Sequence, residues 1–227
     1  RVTVKQRDYC LEVGNLHAPK EPTVPVTLDN IDFVGCTFGL SCTDCHISNS
    51  HSTYVSYHKT IPETEVVRGI APNARVVGDN NSLVNVSLSY ANNAGVSITG
   101  NRNHVDNSIV TSTSWLGTLH YPPLGFVGSF NNATRNTVSY FGNAGVVQHQ
   151  ENNSASFNHI RFGGLIGLDH AALYSGDWSA AGTHWHHNWV HDHLEKCVRG
   201  DDQSHNMTIH HNVVFNCGVP TADSNNL

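Results

Sequence analysis

Between Gly182 and Gly218 the chain reads GTHWHHNWVHDHLEKCVRGDDQSHNMTIHHNVVFNCG. His184, His186, His187, His191 and His193 crowd together there, Asp201 and Asp202 are adjacent, and Cys197 and Cys217 stand on either side. Imidazoles bind Zn2+ when three or four of them converge at about 2 Å. Strand side chains alternate between faces, so His184 and His186 share one face, His187 takes the other, and His191 pairs with His193. Zinc then requires two such pairs to meet across a turn. The carboxylates supply oxygen ligands of the kind Ca2+ prefers, or an acid and a base.

A second alignment gives the carboxylates neighbours. Set ALYSGDWS (Ala172–Ser179) over CVRGDDQS (Cys197–Ser204) and Tyr174 falls on Arg199, Asp177 beside Asp201 or Asp202, and Ser179 near Ser204. On successive strands about 4.8 Å apart, Tyr174, Arg199, Asp177, Asp201 and Asp202 form one wall, which Asp169 and His170 begin. These five are the candidate catalytic residues, and Asp201 and Asp202 the candidate Ca2+ ligands. His191, Trp178 and His170 are candidate substrate contacts. Trp115, Tyr121, Trp185 and Trp189 offer aromatic faces for stacking or for core packing. The competing interpretation makes Asp201-Asp202 a turn and Arg199 a surface ion-pair partner.

These residues must be positioned by strands. Long helical patterns are missing, and short β-branched runs alternate with Asn, Gly and Ser clusters. NVSLSYANNAGVSITG (Asn85–Gly100) resembles NTVSYFGNAGVVQHQ (Asn136–Gln150), and THWHHNWVHDH (Thr183–His193) resembles MTIHHNVVFNC (Met207–Cys217). In the repeated unit an Asn precedes a short strand: Asn85, Asn107, Asn136, Asn158, Asn188 and Asn212. A small residue and an aliphatic then start the next strand at Val96, Val146, Leu173, Val198 and Val219. Steps of about 20–27 residues fall in the range of repeat architectures. The double step from Val96 to Val146 hides an irregular coil, with STSWLGTLHYPPLGF (Ser112–Phe126) inserted as a loop. On this pattern His186/His187 and His210/His211 are equivalent positions in successive coils, which explains them without metal.

The series resembles the right-handed parallel β-helix of the pectin-lyase-like superfamily, over about residues 63–227 and with VTLDNIDFVGCTF (Val26–Phe38) as an earlier coil. The expected fold is all-β: an N-terminal part, 1–62, carrying coils and a loop-rich, cystine-pinned excursion from Gly39 to Glu65, then coils over 63–227, together one continuous domain. A β-sandwich would account for the strands but not for the in-register repeats.

Composition narrows the setting. The 227 residues carry a formal charge of −6 with only 13% charged residues, and no Lys/Arg run, so no nucleic-acid partner is expected on electrostatic grounds. Apolar runs are too short to span a membrane. Six cysteines (Cys10, Cys36, Cys42, Cys45, Cys197, Cys217) fit disulfides of unassigned pairing. CTDC (Cys42–Cys45) lacks the second CxxC of a zinc site, and Cys197 with Cys217 is expected to staple neighbouring coils or to lie free in the core. Sequons at Asn80, Asn85, Asn132, Asn152 and Asn206 point to a secreted or cell-surface glycoprotein. Starting at Arg1, the chain reads as a processed chain or part of a longer one.

The resemblance implies a polysaccharide as partner. In lyases of this fold, acidic residues hold Ca2+ and a basic residue takes the C5 proton of a uronate; Arg199 or a nearby His would be that base, and Tyr174 or a His the acid. In hydrolases of the fold, aspartates serve as acid and base. No lyase or hydrolase motif is matched in full, and the low charge gives no long-range attraction to polyuronates. Two non-catalytic expectations stand beside these: a module binding polysaccharide or N-linked glycans, and a structural filament subunit that self-associates through open β-helix ends.

Overall fold

A computed structural model describes residues 9–16, 24–56, 73–116, 121–176, 180–202 and 204–218. Among these residues the chain is an all-β solenoid: three parallel sheets of eight strands, each coil giving one strand to each sheet in turn. The first sheet runs from Tyr9–Val13 to Lys196–Gly200, the second from Thr27–Asp29 to Thr208–His210, and the third from Asp32–Val34 to Val213–Cys217. This is the parallel β-helix that the repeats predict.

Alternation fills the core. Val76, Ile98 and Phe126 stack inward on the first sheet. Leu83, Val105, Ala133, Ala155 and Trp185 do so on the second, and Leu88, Val110, Val138, Ile160 and Val190 on the third. Trp185 is fully buried, and its Nε1–H donates to Gln148 Oε1 at 2.9 Å, so the polar atoms of both side chains are used inside the core.

Two buried ladders join coil to coil. Before the third sheet, the backbone N–H of Ser108, Asn136, Asn158 and Asn188 donates to the amide oxygen of Asn136, Asn158, Asn188 and Asn212 at 2.9–3.1 Å. Before the second sheet, the N–H of Cys45, Asn81, Asn103 and Asn131 donates likewise to Asn81, Asn103, Asn131 and Asn153 at 2.8–2.9 Å. Each amide caps a backbone donor that the corner would otherwise leave unpaired.

Outward corners hold residues in the left-handed region. Asn49, Asn85, Asn107, Arg135, Phe157, His187 and His211 form one such column with φ between 48 and 57°. Asp44, Asn80, Arg102, Phe130, Asn152, Gly182 and Asn206 form another.

Several expectations are corrected. Asn85 and Asn107 are not ladder residues; they are exposed αL corner residues one position earlier, and Val86 and Ser108 take the ladder place. The excursion from Gly39 is instead a regular coil as far as Ser56, with strands Thr37–Ser41, His46–Ser48 and His51–Ser56. Its strands pair with those of residues 75–91, while residues 57–72, which hold the 62/63 boundary, lie outside the described residues. The coil hidden between Val96 and Val146 has a regular strand, with Leu124 in register with both. Coil steps range from 19 to 36 residues, wider than expected, because connections of different length leave the same corner. Val219 lies outside the described residues.

The cysteines pair as Cys10–Cys36, Cys42–Cys45 and Cys197–Cys217. Cys217 is in register with His193, not with Cys197. The last bond therefore closes one turn across its corner rather than linking equivalent sites. No helix among the described residues is long and apolar enough to cross a membrane.

Candidate functional site

The wall on the first sheet assembles in part. Tyr174 is in register with Arg199. The Tyr174 hydroxyl donates to Asp201 Oδ2 at 3.1 Å, and Arg199 reaches Asp169 Oδ1 at 2.6 Å and Asp201 Oδ2 at 2.7 Å. Burial pushes the Tyr174 hydroxyl pKa up, and the Asp201 charge adds to it. Burial opposes the Arg199 charge, but the hydrogen bond it donates to Asp169 and the charge of Asp201 outweigh it, so the guanidinium holds its proton more tightly than usual. The bond to Arg199 in turn lowers the Asp169 pKa. Arg199 is thus a weakened base and Tyr174 a weakened acid.

The remaining wall candidates separate. Asp202 is an exposed turn residue with φ 43°. Asp177 and Trp178 lie outside the described residues, as does Ser179. His170 is fully buried, so it lines no surface. A Ca2+ ion at Asp201 would meet the Arg199 guanidinium already bound to its Oδ2, so these residues do not fit a dication. No three His, Cys, Asp or Glu side chains converge as a metal site among the described residues. His186 stacks on His210 at 5.1 Å and His187 on His211 at 5.0 Å, as equivalent positions in successive coils.

The outer face of the third sheet gathers more chemistry. It has three parallel columns. The first contains His51, Ser87, Ile109, Thr137, His159, Trp189 and Val213, and the second Thr53, Ser89, Thr111, Ser139, Arg161, His191 and Phe215. The third consists of αL residues: Tyr54, Tyr90, Ser112, Tyr140, Phe162, Asp192 and Asn216, with φ from 52 to 59°. The kink at this position turns each of these residues off the regular alternation. Tyr54, Tyr90 and Tyr140 are 55, 54 and 49% exposed. Tyr54 stacks on Tyr90 at 5.3 Å, and Tyr140 on Phe162 at 5.0 Å.

At one end of this face lies a hydrogen-bonded chain. Asp192 Oδ2 is 2.7 Å from His191 Nδ1, and His191 Nε2 is 2.8 Å from His159 Nε2. Asn216 Nδ2 donates to the other Asp192 oxygen, and this bond, followed by that to His191, lowers the Asp192 pKa. His159 lies flat on Trp189 at 4.8 Å, and His191 on Phe215 at 4.6 Å. Burial, then the charges of Arg161 and His191, lower the His159 pKa. Arg161 lies over the Phe162 ring, and no carboxylate among the described residues ion-pairs with it. His191 therefore sits on a different sheet from the wall it was expected to serve. Of the aromatic candidates, Trp185 and Tyr121 are core residues, and Trp189 is half exposed on this face.

The sequence held a signal for these columns. Each αL residue stands four positions after a third-sheet ladder residue: Ser50 and Tyr54, Val86 and Tyr90, Asn136 and Tyr140, Asn158 and Phe162, Asn188 and Asp192. Comparison of the chain with protein-family models, with curated proteins and with solved structures finds no match.

Proposed function

We propose that this protein is an extracellular β-helix that binds an extended polysaccharide along the outer face of the third sheet and acts on it there. The observation that carries this reading is the column Tyr54, Tyr90, Tyr140 and Phe162, one position per coil on an exposed face. Strands repeat about every 4.8 Å, so the six steps from Tyr54 to Asn216 extend for roughly 29 Å. That repeat is close to the rise of one sugar in an extended β-linked chain. Aromatic rings offer apolar faces to sugar C–H groups, and the Ser and Thr side chains beside them offer hydrogen bonds. Three disulfides and the sequons support an oxidising, secretory setting. Sequon residues Asn80, Asn152 and Asn206 all occupy one exposed corner column, away from this face.

The test is affinity electrophoresis across neutral and acidic polysaccharides, followed by assays for new reducing ends and for the ultraviolet absorbance of unsaturated sugars. Wild-type protein should be retarded by at least one polymer. Tyr90→Ala and Tyr140→Ala should each weaken that binding about tenfold, as expected from about 1.4 kcal/mol per lost aromatic contact. Binding unchanged in both variants would remove this face from the reading. Failure to bind any polymer, together with elongated particles in electron micrographs, would support the filament role instead.

A further inference from the structure

We propose that His159 is a general base for hydrolysis of O-acyl esters on a polysaccharide, held in its working tautomer by His191 and Asp192, with Arg161 stabilising the oxyanion. The inference rests on the polysaccharide reading for its substrate, but its chemistry comes from a separate set of atoms.

The proton positions follow from the hydrogen bonds. Asp192 is an acceptor on both oxygens, from Asn216 and from His191. His191 therefore donates from Nδ1, and in its neutral form Nε2 is left as an acceptor. The contact of 2.8 Å to His159 Nε2 is satisfied when His159 donates from that atom. The remaining nitrogen, His159 Nδ1, is then a lone pair with no hydrogen-bond partner among the described residues, on a ring partly open to solvent. An Asp–His–His chain thus ends in a free basic nitrogen on the sugar-binding face.

The surroundings select the reaction. The two-carboxylate mechanism of glycoside cleavage needs a second acid. Asp192 is the only carboxylate in the three columns beyond Asp32 on the first coil, and both its oxygens are occupied. Acyl transfer to water needs instead one base and one group that stabilises negative charge on oxygen. Arg161, in register with His191 and in no direct ion pair among the described residues although its charge reaches Asp192, supplies the second. The charged groups facing His159 are Arg161 on its own strand and His191 with Asp192 on the next; the preceding strand presents Thr137.

The step balances. His159 Nδ1 takes a proton from water as the water oxygen bonds to the ester carbonyl carbon. The carbonyl π pair moves onto oxygen, beside the Arg161 guanidinium. On collapse the bond from acyl carbon to sugar oxygen breaks, and the sugar oxygen takes the proton from His159 Nδ1. The products are a carboxylic acid and a free sugar hydroxyl. His159 and Arg161 are the catalytic residues; His191 and Asp192 position His159 and share its transient charge.

Two substrates separate this chemistry from docking. Partially O-acetylated xylan tests the whole site, and p-nitrophenyl acetate tests the base without the binding face. Wild-type protein should release acetate from both, at a rate that rises with pH through a His159 midpoint below the ordinary histidine value and then levels off. His159→Gln should lose at least about 100-fold in rate on both substrates. Asp192→Asn should lose about tenfold or more and move the midpoint, which a purely structural role would not do. Circular dichroism must show each variant folded. Binding of the same xylan is measured in parallel. A folded wild type that binds xylan but hydrolyses neither ester overturns the proposal and leaves the docking face standing; hydrolysis of p-nitrophenyl acetate without xylan binding keeps the base and overturns the assigned substrate. Rates retained in His159→Gln overturn the proposal outright.

Discussion

His193 and His159 show how differently one residue type behaves at two depths. His159 lies on an outer face, where its tautomer is set by a chain of polar partners. His193 is buried against Phe141 and His170, accepts the Glu195 N–H on Nδ1 and faces the Asn143 carbonyl with Nε2. Its proton inventory is already complete in the neutral form, and burial lowers its pKa to about 4. The unfolded chain binds a proton near pH 6.5, so between that value and 4 the unfolded state holds more protons than the native state. Stability from this group is therefore full above about pH 6.5 and falls as the pH is lowered to 4, by about 3 kcal/mol in total. His170, buried beside it and also shifted downward by desolvation, acts in the same direction. Urea midpoints measured from pH 7 to 4 should fall steeply in the wild type and less so in His193→Leu. Equal slopes would mean that His193 is solvated or already paired with an acid. Nothing in the sequence distinguished these two histidines, because depth depends on which side of a strand each residue falls.

At the scale of the element, the corner asparagines carry the fold. The repeat was legible because a corner that donates its backbone N–H to the next coil needs an amide there, and Asn is short enough to reach. The sequence therefore showed Asn136, Asn158, Asn188 and Asn212 in order. It did not separate them from Asn85 and Asn107, where Asn serves a different need: a tolerable αL backbone on an exposed corner. The second ladder, Asn81, Asn103 and Asn131, follows Gly78, Gly100 and Gly128 by three residues, a spacing visible in the sequence itself. Those glycines are obligatory: at Gly100, with φ +131°, a Cβ would come 2.2 Å from the Gly78 carbonyl oxygen. The two uses of Asn predict two magnitudes. Asn158→Ala removes the acceptor for the Asn136 N–H and the donor for the Ala133 carbonyl, both buried, and should cost about 3 kcal/mol. Asn107→Ala leaves the ladder intact and should cost about 1 kcal/mol through its backbone. Unfolding in urea ranks them; equal losses would show that the buried amide bonds add nothing beyond backbone geometry.

The whole molecule is a stack in which strand pairing joins each coil only to its neighbours, with single side chains such as His193 reaching one coil further to Phe141, so stability is largely a sum of local terms. The wall of Tyr174, Arg199, Asp169 and Asp201 was legible because it depends on two adjacent first-sheet strands with similar sequences. The chain from Asp192 to His159 was not, because its register depends on a coil 30 residues long, and the extra residues displace any simple alignment. The same one-dimensional architecture predicts where a lost disulfide is felt. Cys197–Cys217 encloses a separation of 20 residues, and removing it should cost about 3 kcal/mol of unfolded-chain restraint. In a compact globule that loss would spread over every element. Here it should concentrate in the turn that the bond closes and fade with each coil further away. In Cys197→Ser/Cys217→Ser, amide hydrogens of Trp189–His193 and Val213–Cys217 should exchange faster by a factor of about 100, while those of Val96–Thr99 and Thr137–Phe141 keep their wild-type rates. Uniform acceleration would show that the coils unfold as one cooperative unit. Because His191 and Asp192 lie in the affected turn, the double variant should also lose the proposed ester hydrolysis, while the proposed polysaccharide binding at Tyr54, Tyr90 and Tyr140, five, four and two coils away, should persist.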